Sequence, residues 1–326
     1  PAFKGYFDEK REITIDLDEV VWGGVRQDGI PPLRSPSMVA AKEAEYLADD
    51  HIVFGISING DARAYPKRIL AWHEMFVDTV GGTPVAGVYC TLCGTVILYH
   101  TTLNGTNHAL GTSGFLYRSN KLMYDQATQS LWSTMRGTPV IGPLVGKEVR
   151  LARGSVVTTT WGAWRARHPN TTVLSLETGH RRDYAEGAAY RSYFATDELM
   201  FTVPKRDNRL ANKAEVLVMR AQDSSDPLAL ASDFLAQHPV YRETLGGKNI
   251  VILTDTSGAH RVFESGAHEF TAFDGSAVAT DASGEPWELS EDGLASKTGE
   301  TLARVPANRA FWFGWFAAFP DTRLIK

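Results

Sequence analysis

A repeated pattern constrains the fold of this chain more than any other feature. The stretch LARGSVVTTTWGAWRARHPNT (151–171) matches LARVPANRAFWFGWFAAFPDT (302–322) at a constant offset, so that Trp161 and Trp164 align with Trp312 and Trp315. Upstream, VDTVGGTPVAGVYC resembles YRETLGGKNIVILTD, and SLWST is echoed by EPWEL. Because these features occur in the same order twice, the sequence predicts two similar lobes from an internal duplication.

Four segments follow from the repeat: a wrapping arm (1–50), a first lobe (51–175), a linker (176–212) and a second lobe (213–326). Short apolar runs such as HIVFGISIN and GTVILYHTTL, separated by Gly and Asn, are typical of antiparallel strands. The stretch PKRILAWHEMFVDTV (66–80) has helical spacing after a first-turn proline, and AAKEAEYLADD (40–50) is a shorter helical pattern. We expect a β-rich α+β fold of mostly antiparallel sheet with a few helices.

Composition restricts the class of protein. The chain has 326 residues, 43% of them hydrophobic and 22% charged, with a net charge of -5 and no long basic run. These values predict a globular protein that does not bind nucleic acid. Apolar stretches are too short for a transmembrane segment, and the first residues do not form a signal peptide. We expect a soluble protein, either cytoplasmic or exported after removal of a leader.

The segment VYCTLCGTVILYH (88–100) holds Cys90 and Cys93, the two cysteines of the chain. Their spacing lets two sulfurs point at one centre. A closed zinc site needs four ligands, and a second ligand pair is missing from the sequence, although His73, His100 and His108 are available. A disulfide clip or redox pair at a strand turn is another interpretation. A third is a cysteine nucleophile with His73 or His100 as its base.

Soft thiolates with one imidazole suit copper(I), and an open position at such a site would admit oxygen or a substrate. Cys90, Cys93 and His73 supply this ligand set, with Met123 as a weak additional ligand. In the aligned repeat Cys90 lies opposite Asp255 and Cys93 opposite Gly258, so the second lobe lacks the thiols. This asymmetry makes the first lobe the candidate for chemistry.

Further polar residues of the first lobe are candidates for a substrate pocket. The segment GTSGFLYRS is a tight strand entry with Tyr117 and Ser119 facing a cavity, and MYDQATQSLWSTMRGTPVIGPLVG contains two strands joined by a short QATQ connection. Strand pairing would bring its polar side chains together, and Asp125 could pair with Arg136. We assign catalytic roles to Cys90, Tyr124 and Asp125. The pocket residues that we expect are Tyr117, Ser119, Trp132 and Arg136.

The stretches DGIPPL, LADDHIVFGISINGDARAYPKRILAWHEMFVDTVGGTPVAGVYCTLCGT, GTSGFLYRSNKLMYDQATQSLWS and GPLVGKEV resemble the bacterial and archaeal family catalogued as domain of unknown function 3179. The resemblance runs from Asp28 to the Trp-rich C-terminus. It implies proteins that are often exported or lipid-anchored, with no assigned activity. In many relatives the motif resembles Cys-Pro-Leu-Cys or Cys-Pro-Leu-Thr, whereas Thr91 replaces the proline here. The resemblance therefore implies that Cys90 is the obligatory thiol and that Cys93 adds a function particular to this branch.

Together these observations favour a copper enzyme in which Cys90, Cys93 and His73 hold the metal for an oxidative reaction on a small molecule. Zinc is the second choice of metal. One alternative is a non-catalytic binding or scaffold protein with a Cys90–Cys93 disulfide clip. The other is a metal-free enzyme with a cysteine nucleophile.

Overall fold

Strands dominate the computed structural model, which describes residues 11–221 and 225–326. The strands of the N-terminal half (residues 11–175) are β1 (Val20–Trp22), β2 (Leu33–Arg34), β3 (Met38–Ala40), β4 (Ile52–Ile58), β5 (Asp61–Pro66), β6 (Met75–Val80), β7 (Thr83–Cys90), β8 (Thr95–His100), β9 (Thr102–Leu103), β10 (Thr106–Asn107), β11 (Leu110–Tyr117), β12 (Asn120–Asp125), β13 (Leu131–Ser133), β14 (Thr138–Ile141), β15 (Ala152–Gly154), β16 (Val157–Thr160) and β17 (Thr172–Leu174).

The strands of the C-terminal half (residues 213–326) are β18 (Glu215–Met219), β19 (Leu228–Ala231), β20 (Val240–Leu245), β21 (Lys248–Thr254), β22 (His260–Glu264), β23 (Phe270–Phe273), β24 (Val278–Asp281), β25 (Pro286–Leu289), β26 (Gly293–Ser296), β27 (Thr301–Ala303), β28 (Asn308–Phe311) and β29 (Arg323–Ile325). The helices are α1 (Lys67–His73), α2 (Trp161–Arg167), α3 (Arg191–Phe194), α4 (Ser232–Gln237) and α5 (Trp312–Ala318). Short 3-10 turns occur at Leu17–Glu19 and Ala41–Glu43.

The N-terminal half builds three five-stranded sheets and a two-stranded β9-β10 ribbon. The sheet orders are β16-β4-β5-β17-β3, β15-β8-β7-β6-β2 and β1-β11-β12-β13-β14. Most neighbours are antiparallel; β2 with β6 and β5 with β17 are parallel. These pairings confirm the expected β-rich, mostly antiparallel architecture with few helices.

The C-terminal half has sheets in the orders β28-β18-β19-β29, β20-β21-β22 and β23-β24-β25-β26-β27. Its first sheet has the same strand order and the same strand directions as β16-β4-β5-β17 in the N-terminal half. In each sheet the last pair is parallel, β5 with β17 and β19 with β29. A helix follows the matching edge strand in each half, α2 after β16 and α5 after β28.

One hydrogen bond recurs after those two helices. The indole nitrogen of Trp164 donates to the hydroxyl of Thr171 at 2.9 Å, and that of Trp315 donates to Thr322 at 2.8 Å. Both tryptophans are buried, with at most 1% of their surface exposed. A buried indole N–H needs such a partner, which explains why Trp and Thr recur together in the sequence repeat.

Three strands from the expected arm extend the sheets of the N-terminal half. β1 pairs with β11, β2 with β6 and β3 with β17, so three strands of the expected arm lie at the edges of three different sheets. Residues 1–10 of that arm lie outside the described residues. The expected linker contains α3 and is otherwise irregular.

The helix predicted for residues 66–80 is correct only in its first half. Helix α1 ends at His73, and Glu74 takes a left-handed conformation with φ 57° that reverses the chain. The rest of the segment forms β6, which pairs with β7. Val77, Thr79 and Val80 are β-branched, a residue type that favours strands, and this preference prevails after the turn. The pattern at 40–50 yields a 3-10 turn at Ala41–Glu43 rather than a longer helix.

No helix within the described residues is both long and apolar enough to cross a membrane.

Candidate functional site

The two cysteines lie at the tight turn between β7 and β8. Cys90 ends β7 and pairs with Thr95, the first residue of β8. The backbone N–H of Cys93 donates to the carbonyl oxygen of Cys90 at 3.1 Å, which closes the turn. Gly94 follows with φ 59°, a left-handed conformation that glycine adopts at low cost. The turn therefore brings both side chains to the same side of the hairpin.

The sulfur atoms of Cys90 and Cys93 are 2.6 Å apart, and both residues are free cysteines. They are buried, with 2% and 0% of their surface exposed. The Sγ atom of Cys93 also lies 3.2 Å from the carbonyl oxygen of Ser119. Ser119 thus contacts the thiol pair through its backbone carbonyl oxygen, and its predicted role in a substrate pocket stays a prediction.

The surroundings shift the pKa values of the two thiols in opposite directions. Burial on its own raises the pKa of Cys90, but the hydrogen bond from Cys93 and the positive charge of Lys121 outweigh it, so that this pKa falls below its ordinary value. Burial and the neighbouring Cys90 raise the pKa of Cys93 well above its usual range. The arrangement therefore favours a Cys90 thiolate that accepts a hydrogen bond from a Cys93 thiol.

Lys121 is held by a buried ion pair with Glu74. The two residues are 5% and 6% exposed. The hydroxyl of Tyr190 donates to the second carboxylate oxygen of Glu74 at 3.2 Å. Because a buried ion pair requires additional hydrogen bonds to satisfy its polar atoms, Tyr190 completes the pair.

A cavity of about 80 Å³ lies beside the ion pair. Its walls are mostly apolar and come from the arm, from the turn, from β11 and β12, and from the expected linker. They are formed by Gly23, Val25, Ile30, Glu74, Leu92, Thr112, Gly114, Phe115, Leu116, Lys121, Tyr190, Met200 and Phe201. A wider surface depression of about 490 Å³ shares Val25, Ile30 and Tyr190 with this cavity and adds Trp72 and Arg182. The depression and the cavity therefore lie next to each other.

His73 is buried, and both of its ring nitrogens have hydrogen-bond partners. Nδ1 lies 2.9 Å from the carbonyl oxygen of Pro31, and Nε2 lies 2.5 Å from the hydroxyl of Tyr184. Burial lowers the pKa of His73 to about 4, so the ring is neutral at pH 7. In residues 11–221 and 225–326, no group of three or more His, Cys, Asp or Glu side chains is arranged to hold a metal ion. The structure brings the two sulfurs together but does not add His73 to them.

The predicted residues of β12 and its neighbours form separate contacts. Tyr124 donates to the carboxylate of Asp28 at 2.6 Å. Asp125 is fully buried and pairs with Nδ1 of His108 at 2.5 Å. The expected pairing of Asp125 with Arg136 is therefore wrong. Arg136 follows β13 and is exposed, because the chain turns there before β14.

The remaining predicted residues are placed as follows. Tyr117 pairs with Val20 across β1 and β11 and is half-buried. Trp132 is fully buried, with its ring against His108, and Met123 packs in the same hydrophobic cluster as the two cysteines. His100 ends β8 opposite Ala152, and burial lowers its pKa.

Sequence reasoning missed Lys121, Glu74 and Tyr190. One signal was present: Lys121 lies in NKLMYD, a strand whose residues are all buried. A lysine in a buried strand requires a partner, and that requirement marks it as a candidate functional residue. Glu74 and Tyr190 are far from Lys121 in sequence, so their contacts depend on the fold.

The corresponding turn of the C-terminal half, between β21 and β22, is built differently. Asp255 aligns with Cys90 in the sequence repeat, and its carboxylate accepts backbone N–H groups of Ser257 and Ala259. It also pairs with Arg261 at 2.8 Å. A carboxylate thus fixes this turn where the N-terminal half has a thiol pair.

Comparison with known proteins gives one match. The model of a family described as "Protein of unknown function (DUF3179)" matches residues 27–322, nearly the whole chain. No curated protein and no solved structure matches significantly.

Proposed function

The chain belongs to the DUF3179 family, and we propose that it is a dithiol oxidoreductase in which Cys90 attacks a small disulfide substrate and Cys93 resolves the product. The observation that carries this proposal is the contact between two free thiols whose pKa values shift in opposite directions. An attacking thiolate and a protonated resolving thiol are what thiol–disulfide exchange requires.

The reaction proceeds in two exchanges. The Cys90 thiolate attacks one sulfur of a disulfide RSSR′ and forms a Cys90–SR mixed disulfide, while the leaving R′S⁻ takes the proton of Cys93. The resulting Cys93 thiolate then attacks Cys90 Sγ, forms the Cys90–Cys93 disulfide and releases RS⁻. Two electrons pass from the protein to the substrate, and a second dithiol has to reduce the protein again.

The surroundings support this assignment of roles. Lys121 supplies the positive charge that stabilises the Cys90 thiolate, and Glu74 holds the ammonium group in place. The mostly apolar walls of the cavity beside them favour a substrate with little charge.

A small disulfide tests the proposal. We expect reduced protein mixed with hydroxyethyl disulfide to lose two hydrogens and to retain no adduct by intact mass spectrometry. Cys93→Ser should retain one mercaptoethanol adduct because no resolving thiol remains, and Cys90→Ser should stay unmodified over the same time. An adduct on Cys90→Ser as fast as on Cys93→Ser, or no change in any of the three proteins, contradicts the proposal.

Copper-dependent oxidation of a small molecule, with zinc as the second-choice metal, is the second proposal. Its support is the adjacency of the two sulfurs, because paired thiolates suit copper(I). His73 would have to exchange its contact with Pro31 or Tyr184 for the metal. Metal analysis of protein purified without chelator, compared with Cys90→Ser, separates the proposals: equal and negligible metal in both contradicts this one.

We also infer that the two halves arose by duplication, with boundaries near 51–175 and 213–326. The support is the shared strand order of β16-β4-β5-β17 and β28-β18-β19-β29, together with the recurring Trp–Thr hydrogen bond. Under this inference the C-terminal half is the framework copy, in which Asp255 replaces the attacking thiol.

A further inference from the structure

The cavity beside the thiol pair is small, and its size restricts the oxidants that it can hold. Its volume of about 80 Å³ has room for about two or three molecules of the size of water. Sites for larger organic ligands usually measure ~300–1,000 Å³. A disulfide has a carbon chain on each sulfur, whereas the reactive part of a hydroperoxide consists of two oxygen atoms. The volume therefore favours an oxidant of few heavy atoms.

The burial of the two sulfurs also favours a small oxidant. Cys90 and Cys93 are 2% and 0% exposed, and neither lines the cavity, whereas Leu92 between them does. An oxidant has to displace part of the cavity wall to pass from the cavity to Sγ of Cys90. Because protein interiors are closely packed, a small molecule requires less displacement than a large one.

The polar part of the cavity wall supplies a proton donor. It consists of the buried ion pair of Lys121 and Glu74 and of Tyr190, whose hydroxyl donates to Glu74. The leaving group of a disulfide exchange is a thiolate, whereas cleavage of a peroxide releases hydroxide or alkoxide, which is a far stronger base. A positive charge and a proton at the leaving oxygen therefore matter more for a peroxide, and the ammonium group of Lys121 can supply both.

We propose that the thiol pair also reduces hydroperoxides, ROOH, with hydrogen peroxide and other small hydroperoxides as its substrates. This inference rests on the proposed function, because it uses the same attacking Cys90 and the same resolving Cys93. The contact between the two free thiols, with 2.6 Å between the sulfurs, serves both reactions, because each ends in a Cys90–Cys93 disulfide.

The peroxide reaction has two steps. The Cys90 thiolate attacks the terminal oxygen of ROOH; the S–O bond forms, the O–O bond breaks, and the leaving RO⁻ takes a proton from Lys121, which regains one from solvent. Cys93 then attacks Sγ of the Cys90 sulfenic acid; the S–S bond forms, the S–O bond breaks, and hydroxide leaves as water with the proton of Cys93. The two sulfurs lose two electrons, the peroxide gains them, and a second dithiol reduces the protein again.

Oxidation of the reduced, full-length protein by hydrogen peroxide tests the proposal, with free cysteine as the reference. Intact mass spectrometry follows the loss of two hydrogens, and alkylation by iodoacetamide measures the thiolate content of each sample. Per thiolate, we expect the protein to react about tenfold or more faster than free cysteine, because a preorganised donor at a developing negative charge accelerates a reaction at least that much. Cumene hydroperoxide, which is larger than the cavity, should lose this advantage.

Two variants test the roles of the residues. Cys93→Ser should gain one oxygen atom and react with dimedone, a reagent for sulfenic acids, because no thiol remains to resolve the Cys90 sulfenic acid. For Lys121→Met, the rate with hydrogen peroxide is divided by the rate with iodoacetamide, since both reactions need the thiolate but iodide leaves without a proton. This ratio should fall about tenfold or more.

Lys248→Met is the matched control, because Lys248 forms an exposed ion pair with Glu264, and its ratio should equal that of the unmodified protein. The comparisons on the unmodified protein decide the matter if Lys121→Met does not fold. Oxidation by hydrogen peroxide no faster than that of free cysteine, or an equal advantage for cumene hydroperoxide, overturns the proposal.

The same samples distinguish this proposal from the disulfide exchange on which it rests. If hydroxyethyl disulfide forms the Cys90–Cys93 disulfide but hydrogen peroxide reacts no faster than with free cysteine, only the peroxide reaction is wrong. If hydrogen peroxide forms that disulfide rapidly and hydroxyethyl disulfide does not, the peroxide reaction is supported and the exchange is wrong.

Discussion

At the scale of single residues, the hydrogen bond from Cys93 and then two buried charges determine the pKa of Cys90 against the effect of burial. The ammonium group of Lys121 lowers the pKa of Cys90, whereas the carboxylate of Glu74 acts in the opposite direction. Lys121 is the stronger of the two influences, and the Cys90 thiolate is favoured as a result.

Substitution of the two charged residues should move the Cys90 pKa in opposite directions. Lys121→Met removes a positive charge and is expected to raise this pKa by about one unit or more, since an opposite charge at short range shifts a pKa by ~1–3 units. Glu74→Gln removes a negative charge and is expected to lower it. Thiolate absorbance followed against pH measures both shifts.

Lys248→Met is the control for these variants, because Lys248 forms an exposed ion pair with Glu264 in the other half. It should leave the thiolate titration unchanged. Shifts of the same sign in Lys121→Met and Glu74→Gln would show that a change in packing, rather than charge, determines the Cys90 pKa.

The residues of the site were predictable from sequence only in part. Cys90 and Cys93 lie together because a tight turn joins the paired strands β7 and β8. Ser119 comes from the turn between β11 and β12 of another sheet, so its contact with Cys93 depends on the fold. The prediction of His73 as a metal ligand rests on its residue type alone. In the fold, Pro31 and Tyr184 provide hydrogen-bond partners for both of its ring nitrogens. Lys121 and Glu74 are 47 residues apart, and no local pattern joins them.

At the scale of structural elements, the turn between β7 and β8 determines the geometry of the thiol pair. The backbone N–H of Phe311 donates to the carbonyl oxygen of Cys93 at 2.7 Å, so β28 holds the turn from outside. Gly314 lets helix α5 approach closely, since a Cβ atom there would lie 3.0 Å from Cβ of Cys93. The turn is thus fixed by both halves of the chain.

Gly94→Ala should destabilise the protein more than Gly247→Ala, a change at the turn between β20 and β21. Both glycines have positive φ, 59° and 78°. A side chain in this conformation costs about 1–2 kcal/mol. At Gly94 the new Cβ would also lie 2.8 Å from the ring of Phe311, whereas nothing lies within 4 Å at Gly247.

Overpacking of this kind adds ~1–3 kcal/mol to the loss at Gly94. Urea denaturation of both variants measures the difference in the free energy of unfolding. Equal losses would mean that the contact with Phe311 does not constrain the turn.

Element prediction failed where two patterns overlap. Ile69, Leu70, Met75 and Phe76 fit one helical face, yet a left-handed Glu74 divides them between α1 and β6. A glutamate in that conformation has no clear sequence signal. The carbonyl of Glu74 accepts the N–H of Tyr89, a tertiary contact that helps to fix the turn.

At the scale of the whole molecule, the thiol pair belongs to a hydrophobic cluster that both halves share. Cys90 and Cys93 pack in one cluster with Val216, Val218 and Trp312 of the C-terminal half. The amide of Asn308 in β28 also donates to the hydroxyl of Thr95 at 2.6 Å. Packing and hydrogen bonds from the C-terminal half therefore hold the thiol turn in place, although that half has no thiols.

Short apolar runs separated by Gly and Asn were sufficient to predict the strand-rich, mostly antiparallel class. The sequence could not predict how the two halves meet. The side chains that face each other across that junction are far apart in the chain, and no periodic pattern of residues links them. The contact of β28 with the thiol turn arises at this junction.

A brief pulse of iodoacetamide on the reduced, native, full-length protein at pH 7, followed by peptide mass spectrometry, tests the central claim most directly. The account predicts that Cys90 is carboxamidomethylated well before Cys93, because alkylation requires the thiolate and the pKa of Cys90 is the lowered one. Faster labelling of Cys93, or labelling of both cysteines only after the protein unfolds, would contradict it.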